Sequence, residues 1–263
     1  MDAWMFPDMS LTHLNLHLVS TTSYQHRNNW NAKGIDIDWE YPGYKDHSGT
    51  PDDTVNFTLL LKAVRTHLDR LGSSTKRHYP LTAALPCGPD KIADIQLDQI
   101  GAYLDEFNLM SYDMHGAWDA LTGTNAPLFD QGWIDKEPRW SAHGCVDTYV
   151  EAGIPLGKLN LGLPFYGRSF QSATGMKQFH DGADDINYHL DEGSPQYFNI
   201  VSKLKEMTTY RHERTRTQYA VFDEAKGGGV VSYDDARAIC DKVEYANERG
   251  MNGCKSGYWI SEQ

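Results

Sequence analysis

Gly34-Ile35-Asp36-Ile37-Asp38-Trp39-Glu40 alternates strictly between apolar and acidic residues after its opening glycine. A period of two is the signature of a β-strand, so Ile35, Ile37 and Trp39 share one face and Asp36, Asp38 and Glu40 the other. Neighbouring acids then stand ~6–7 Å apart along the strand, at the usual rise per residue. Tyr41-Pro42-Gly43 ends the element, since Pro cannot continue a central ladder and Gly permits a sharp exit. Such a strand could simply turn its polar face to water, as half-buried antiparallel strands do. If both faces are covered, a row of three carboxylates is costly and points to work done with protons or metal.

Around this strand the chain alternates strands with helices. Upstream, residues 11–19 predict a strand and residues 20–32 a patternless loop. Downstream, Phe57, Leu60, Leu61, Val64, Leu68 and Leu71 keep helical spacing within residues 52–71, with Gly72 as the stop. Residues 80–86 predict a buried strand, 95–104 a weak helix, 107–113 a strand, 146–152 a helix ended by Gly153, and 159–167 a strand with its exit. Residues 169–229 lose the rhythm and read as an inserted α+β subdomain, leaving 1–168 and 230–263 as the main body. Ser232 with Asp235 predicts a capping box for a helix that Gly250 closes, and a last strand is expected over 256–260. Strands alternating with helices imply a parallel sheet and an α/β fold. In a (β/α)8 TIM barrel, chemistry sits at the carboxyl ends of strands, and Glu40, Asp113, Tyr166 and Trp259 all fall there.

Composition narrows the function. The 263 residues suffice for one barrel, and the formal charge of -12 disfavours a nucleic-acid partner. No long apolar run calls for a membrane span. The 15 Tyr, 9 Phe and 7 Trp suit a core, or a surface that grips neutral, partly apolar ligands. Cys87, Cys145, Cys240 and Cys254 form no Cys-x-x-Cys pair, so a zinc site is not expected. Three disulfide pairings, or free thiols, stay open. No basic start followed by an apolar stretch marks a secretory signal. The Asn-x-Thr acceptor at Asn56 lies inside a helical pattern.

The acidic strand resembles the signature of glycoside hydrolase family 18, the chitinases. The resemblance continues in Met110-Ser111-Tyr112-Asp113 with His115-Gly116-Ala117-Trp118-Asp119, in Pro164-Phe165-Tyr166-Gly167-Arg168-Ser169-Phe170, in Leu11-Thr12-His13-Leu14-Asn15 and in Gly257-Tyr258-Trp259-Ile260. It implies a (β/α)8 barrel that hydrolyses β-1,4-linked N-acetylglucosamine polymers with retention, the substrate supplying its own nucleophile. On that resemblance Glu40 is the general acid and base. Asp38 orients the acetamido group, and Asp36 behind it shares a proton. Tyr41, Met110, Tyr112, Asp113, Trp118, Tyr166, Arg168 and Trp259 shape the sugar site. Taken singly, Trp259 and Met110 read as core, Arg168 as a surface or ion-pair residue, and His115 as a hydrogen-bonded structural histidine. The resemblance also implies chitin or chitooligosaccharides as partners, a monomer, no cofactor or metal, and an extracellular location.

Two features depart from the family pattern. Lys33 stands where an acid is usual, three positions before Asp36. No first strand and no third strand with a Ser-x-Gly-Gly segment is readable. Only the 14 residues 20–33 separate Val19 from Gly34, whereas a βαβ unit needs ~30. An open or distorted barrel is therefore expected, poorly folded and feebly active when made alone. Two other functions compete: a non-hydrolytic chitin-binding relative or inactive fragment, and a Mg²⁺-dependent phosphoesterase or nuclease using Asp36, Asp38, Glu40 and Asp113.

Overall fold

The computed structural model describes residues 14–19, 33–132 and 139–256. In chain order its elements are β1 (Leu14–Val19), β2 (Gly34–Trp39), α1 (Asp53–Thr75), β3 (Leu81–Pro86), α2 (Pro89–Ile92), α3 (Leu97–Ile100), β4 (Glu106–Met110), α4 (Ala142–Glu151) and β5 (Leu159–Leu163). Then come β6 (Arg168–Phe170), α5 (Tyr197–Lys203), β7 (Met207–His212), β8 (Thr217–Phe222), β9 (Val230–Tyr233), α6 (Ala236–Arg249) and β10 (Gly253–Ser256).

Six strands form one sheet in the order β1-β2-β3-β4-β5-β10. From β2 to β10 all neighbours are parallel. This is a (β/α)8-type barrel left incomplete: among the described residues, β1 and β10 stand at its two open ends. The outer face is apolar. Ile37, Trp39, Leu81, Ala83, Phe107, Leu109, Leu159 and Leu161 join Phe57 and Leu61 of α1 and Val146 and Tyr149 of α4 in one core. Trp39 meets Phe57 edge-on at 5.9 Å. With that face covered, the alternation of β2 turns its acids inward, so the row of carboxylates is not a solvated face.

Several expectations need correction. β1 runs antiparallel to β2, with Leu14 opposite Trp39 and Val19 opposite Gly34. A parallel neighbour needs a crossover that residues 20–33 are too short to supply, and this strand covers the edge of β2 instead. Helix α1 passes through Gly72 and stops at Lys76, which takes a left-handed φ of 58°. Within the predicted helix of residues 95–104 a single turn forms, α3; the other turn, α2, lies ahead of that range at Pro89–Ile92. Ser232 lies in β9 and accepts from the Asn125 N–H at 3.0 Å; Asp235 alone caps α6, accepting from the Ala238 N–H at 2.8 Å. Strands β4 and β5 end at Met110 and Leu163, so Tyr112, Asp113 and Tyr166 sit on the loops that leave them. The cysteine question resolves into a Cys87–Cys145 disulfide, with Cys240 and Cys254 free. The bond ties the end of β3 to α4 and closes a 58-residue separation, a constraint worth ~4 kcal/mol against the unfolded chain in the entropic account.

A second sheet, antiparallel in the order β6-β9-β8-β7, lies within residues 168–233. It has its own small core of Tyr188, Ile200, Ala220, Phe222, Val231 and Tyr233.

Candidate active site

Asp36 is fully buried, and its Oδ1 accepts from the Thr82 hydroxyl and, at 3.0 Å, from Asn108 Nδ2. Asp38 follows on the same face, half-buried, with an Oδ1 that is shielded from solvent and has no hydrogen-bond partner among the described residues. Burial, then the charges of Glu40 and Asp36, push its pKa from 3.8 up to about 7. Glu40 stands next, at the carboxyl end of β2, followed by Tyr41. Burial and the Glu40 charge raise the Tyr41 pKa well above its ordinary value, which keeps the phenol a donor. Behind the row, His47 Nδ1 lies 2.8 Å from the Glu40 backbone carbonyl.

The opposite wall comes from the loops after β4 and β5. Burial first, then the charges of Asp113, Glu40 and Asp38, raise the pKa of Tyr112. Tyr112 meets Tyr166 edge-on at 6.0 Å. Asp113 holds a left-handed φ of 58°, pinned by its N–H donating to Asn125 Oδ1 at 3.0 Å. Its Oδ1 lies 2.7 Å from both Nε and Nη2 of Arg168. The Arg168 guanidinium also reaches the Ser194 hydroxyl, and sits 4.8 Å from the Trp118 ring and 5.5 Å from the Tyr166 ring. Trp118 is 60% exposed, the open end of this aromatic wall. His115 is buried, and its Nδ1 lies 3.0 Å from Asp119 Oδ2.

Two groups thus converge: Asp36, Asp38, Glu40 and Tyr41 from β2, and Tyr112, Asp113, Trp118, Tyr166 and Arg168 from the later loops. Met110 is buried at the end of β4. Trp259 lies outside the described residues. Sequence reasoning missed Thr82 and Asn108, which hold Asp36, and Asn125, which holds Asp113. It also missed Gly162: a Cβ there would strike the Leu109 carbonyl and come within 2.8 Å of the Tyr112 ring. Each is a lone small or polar residue in its own strand or loop, and only strand pairing brings it to the site. Among the described residues, no group of three or more His, Cys, Asp or Glu is placed to hold a metal ion.

The sequence pattern described as "Glycosyl hydrolases family 18" matches residues 14–256. Chitinase A1 of Niallia circulans is 30% identical, covering 94% of this chain and 37% of that protein. Endochitinase 1 of Metarhizium robertsii is 31% identical, covering 88% and 51%. Among solved structures, a variant of the class V chitinase from Nicotiana tobaccum in complex with NAG4 superposes with a TM-score of 0.76 at 28% identity, over 88% of this chain and 65% of that one. A Paenibacillus chitinase, ChiW, gives 0.78 at 30% identity, over 88% and 27%. The chain spans between about a third and a half of the curated relatives it matches. The match runs through the acidic strand, both aromatic loops and β10, and on that extent the chain belongs to glycosyl hydrolases family 18.

Proposed function

We propose that this chain is a chitinase-type hydrolase that cleaves β-1,4-linked N-acetylglucosamine chains with retention. One observation carries the reading: Asp36, Asp38 and Glu40 stand in a row on the inner face of β2, where burial and the charges of Glu40 and Asp36 raise the Asp38 pKa to about 7. A carboxyl that binds its proton at neutral pH is placed to shift charge during a reaction. It is also a poor ligand for Mg²⁺, which argues against the phosphoesterase reading.

In this scheme Glu40 gives its proton to the glycosidic oxygen as the bond to C1 breaks. The acetamido carbonyl oxygen of the same sugar bonds to C1, forming an oxazolinium ion. Asp38 accepts a hydrogen bond from the acetamido N–H. Its own proton passes to Asp36 as positive charge develops, leaving an anion beside the cation. Water then attacks C1 as the bond between C1 and the acetamido oxygen breaks; water's proton goes to Glu40, which restores the acid, and the proton on Asp36 returns to Asp38. Tyr112 and Asp113 contact the acetamido group and hydroxyls. Tyr166 and Arg168 bind the sugar, and Trp118 stacks on the leaving-group side. The subdomain at 169–229 walls the cleft; the Arg168 contact to Ser194 and the Thr122 N–H to Gln178 carbonyl bond at 2.8 Å tie it there. A Cys87–Cys145 disulfide suits an oxidising, extracellular setting.

The test is Glu40→Gln. Hydrolysis of a chitin oligomer should fall by about 10²–10⁴-fold, while oligomer binding persists. Unchanged turnover would remove Glu40 from its role. The sheet, open among the described residues, favours a second reading, a binding-only relative. Binding by the unaltered chain, with no product released, would select it.

A further inference from the structure

The inner face of the sheet carries a polar row that runs on from Asp36 through residues the reaction scheme leaves unused. Asn108 Nδ2 donates to Asp36 Oδ1, and Asn108 Oδ1 accepts from Asn160 Nδ2, each at 3.0 Å. Asn160 Nδ2 also donates to Glu106 Oε2 at 2.9 Å, and Asn160 Oδ1 accepts from Asn252 Nδ2 at 3.0 Å. Lys255 Nζ donates to the same Glu106 oxygen at 2.7 Å. Strand register builds the row: Asp36 is level with Thr82, Ala84 with Asn108, Asn108 with Asn160, and Asn160 with Gly253. Barrel interiors are ordinarily filled by branched aliphatic side chains, so five strands giving polar groups to one row is a departure with a cost.

The row has a direction. Burial works to raise the Glu106 pKa, but the hydrogen bond and charge of Lys255, with Asn160 and Asn252, overcome it and hold the carboxyl below its ordinary value. An anion there admits only the donor end of Asn160. Asn160 offers its other N–H to the Asn108 oxygen, which turns the Asn108 N–H toward Asp36. Flipping Asn108 would set oxygen against carboxylate and N–H against N–H, leaving both contacts unsatisfied.

We propose that Asn108 is a positioning residue for the acid pair: oriented through Asn160 by the Lys255–Glu106 ion pair, it keeps Asp36 the anion and Asp38 the proton holder before substrate arrives. Its use in turnover, though not its geometry, rests on the hydrolase reading. Asp36 accepts from Thr82 as well as from Asn108, and hydrogen bonds to a carboxylate favour its charged form. The neighbouring Asp38 is the carboxyl whose pKa is raised. The charged and titratable groups around the pair are Glu40 on the same strand, Tyr112 after β4, and Glu106 and Lys255 along the row; the β1 register position opposite Asp36 is His17.

The test is a site-resolved carboxyl titration by ¹³C NMR on the full chain with labelled aspartate, assigned with Asp36→Asn and Asp38→Asn. Asn108→Leu removes the donor to Asp36, so the pair's proton should move toward Asp36. Asp38 should then bind its proton about tenfold more weakly, a fall of about one pH unit in its midpoint. Asn160→Ala, which frees Asn108 to turn, should move it the same way by less, and serves should the leucine variant not fold. Repeating the titrations in a His17→Gln background tests whether the shift depends on position 17. A lowered Tm with the Asp38 midpoint unmoved in the folded variants, or moved upward, would overturn the proposal. The measurement needs no turnover, so an inactive chain would defeat the hydrolase reading and leave this one standing or falling by itself.

Discussion

At the corner between β9 and α6, Asp234 is 5% exposed and meets the ammonium of Lys242, itself fully buried. Near the end of β2, Asp38 stands between Asp36 and Glu40, and the charges that act on it are those two carboxylates. One buried carboxyl is matched by an opposite charge; the other is crowded by like charges. The first arrangement holds an element in place. The second opposes folding, and persists because the surrounding sheet over-determines it. Burial of a charge therefore says little by itself; the sign of the neighbours separates an anchor from a reactive group.

The largest expected effect tests the anchor. Lys242→Ala leaves Asp234 buried without its cation and should cost about 3–5 kcal/mol in a denaturant titration at pH 7. Converting Asp234 and Lys242 together to leucine and methionine should recover most of that loss. A single variant as stable as the parent would erase the contrast. Asp38→Asn tests the other side and should have the opposite sign. The Asp38 pKa is about 7 in the fold, against an ordinary carboxyl value of 3.8. The folded state therefore binds this proton more tightly. Its stabilisation is complete below about pH 4 and is lost as pH rises toward 7. Asn, which never ionises, should be more stable than Asp at pH 8 by up to about 4 kcal/mol, the gain vanishing near pH 4. A pH-independent difference would mean that Asp38 is not held protonated. The smallest effect separates hydrogen bonding from charge at the anchored corner. Asp235→Ala removes the cap on the Ala238 N–H and should cost about 1 kcal/mol. A loss as large as that of Lys242→Ala would make capping, not the ion pair, the source of the corner's strength.

How much the sequence discloses follows the range of the interaction. The period of two in β2 placed three acids on one face, because side-chain direction is a local property. The spacing of Phe57, Leu61 and Leu68 likewise marked the buried side of α1. Yet Gly72 did not stop that helix, since a glycine's preference of about 1 kcal/mol yields to a continuing ladder. Ser232 mimicked a cap because a serine before Asp235 fits either a cap or a strand. The direction of β1 depends on its connection, not on its own pattern. Least legible was the inner row. Asn108 and Asn160 each look like one stray amide in an apolar strand, and become a chain only when β4 and β5 lie side by side. The Cys87–Cys145 bond is illegible for the same reason.

Gly162 has a consequence for how this cleft can change over generations. Any side chain there would press on the Leu109 carbonyl, which belongs to the sheet and cannot yield, or on the Tyr112 ring. That wall has no adjustable part: substitution has nothing to tune short of moving a strand. Across the opening, Trp118 is 60% exposed and meets the Arg168 guanidinium through its ring face. Exchange of that residue alters the shape of the mouth without disturbing the sheet. Drift in ligand preference would accordingly leave its record at position 118 and in the loop around it, while position 162 stays silent.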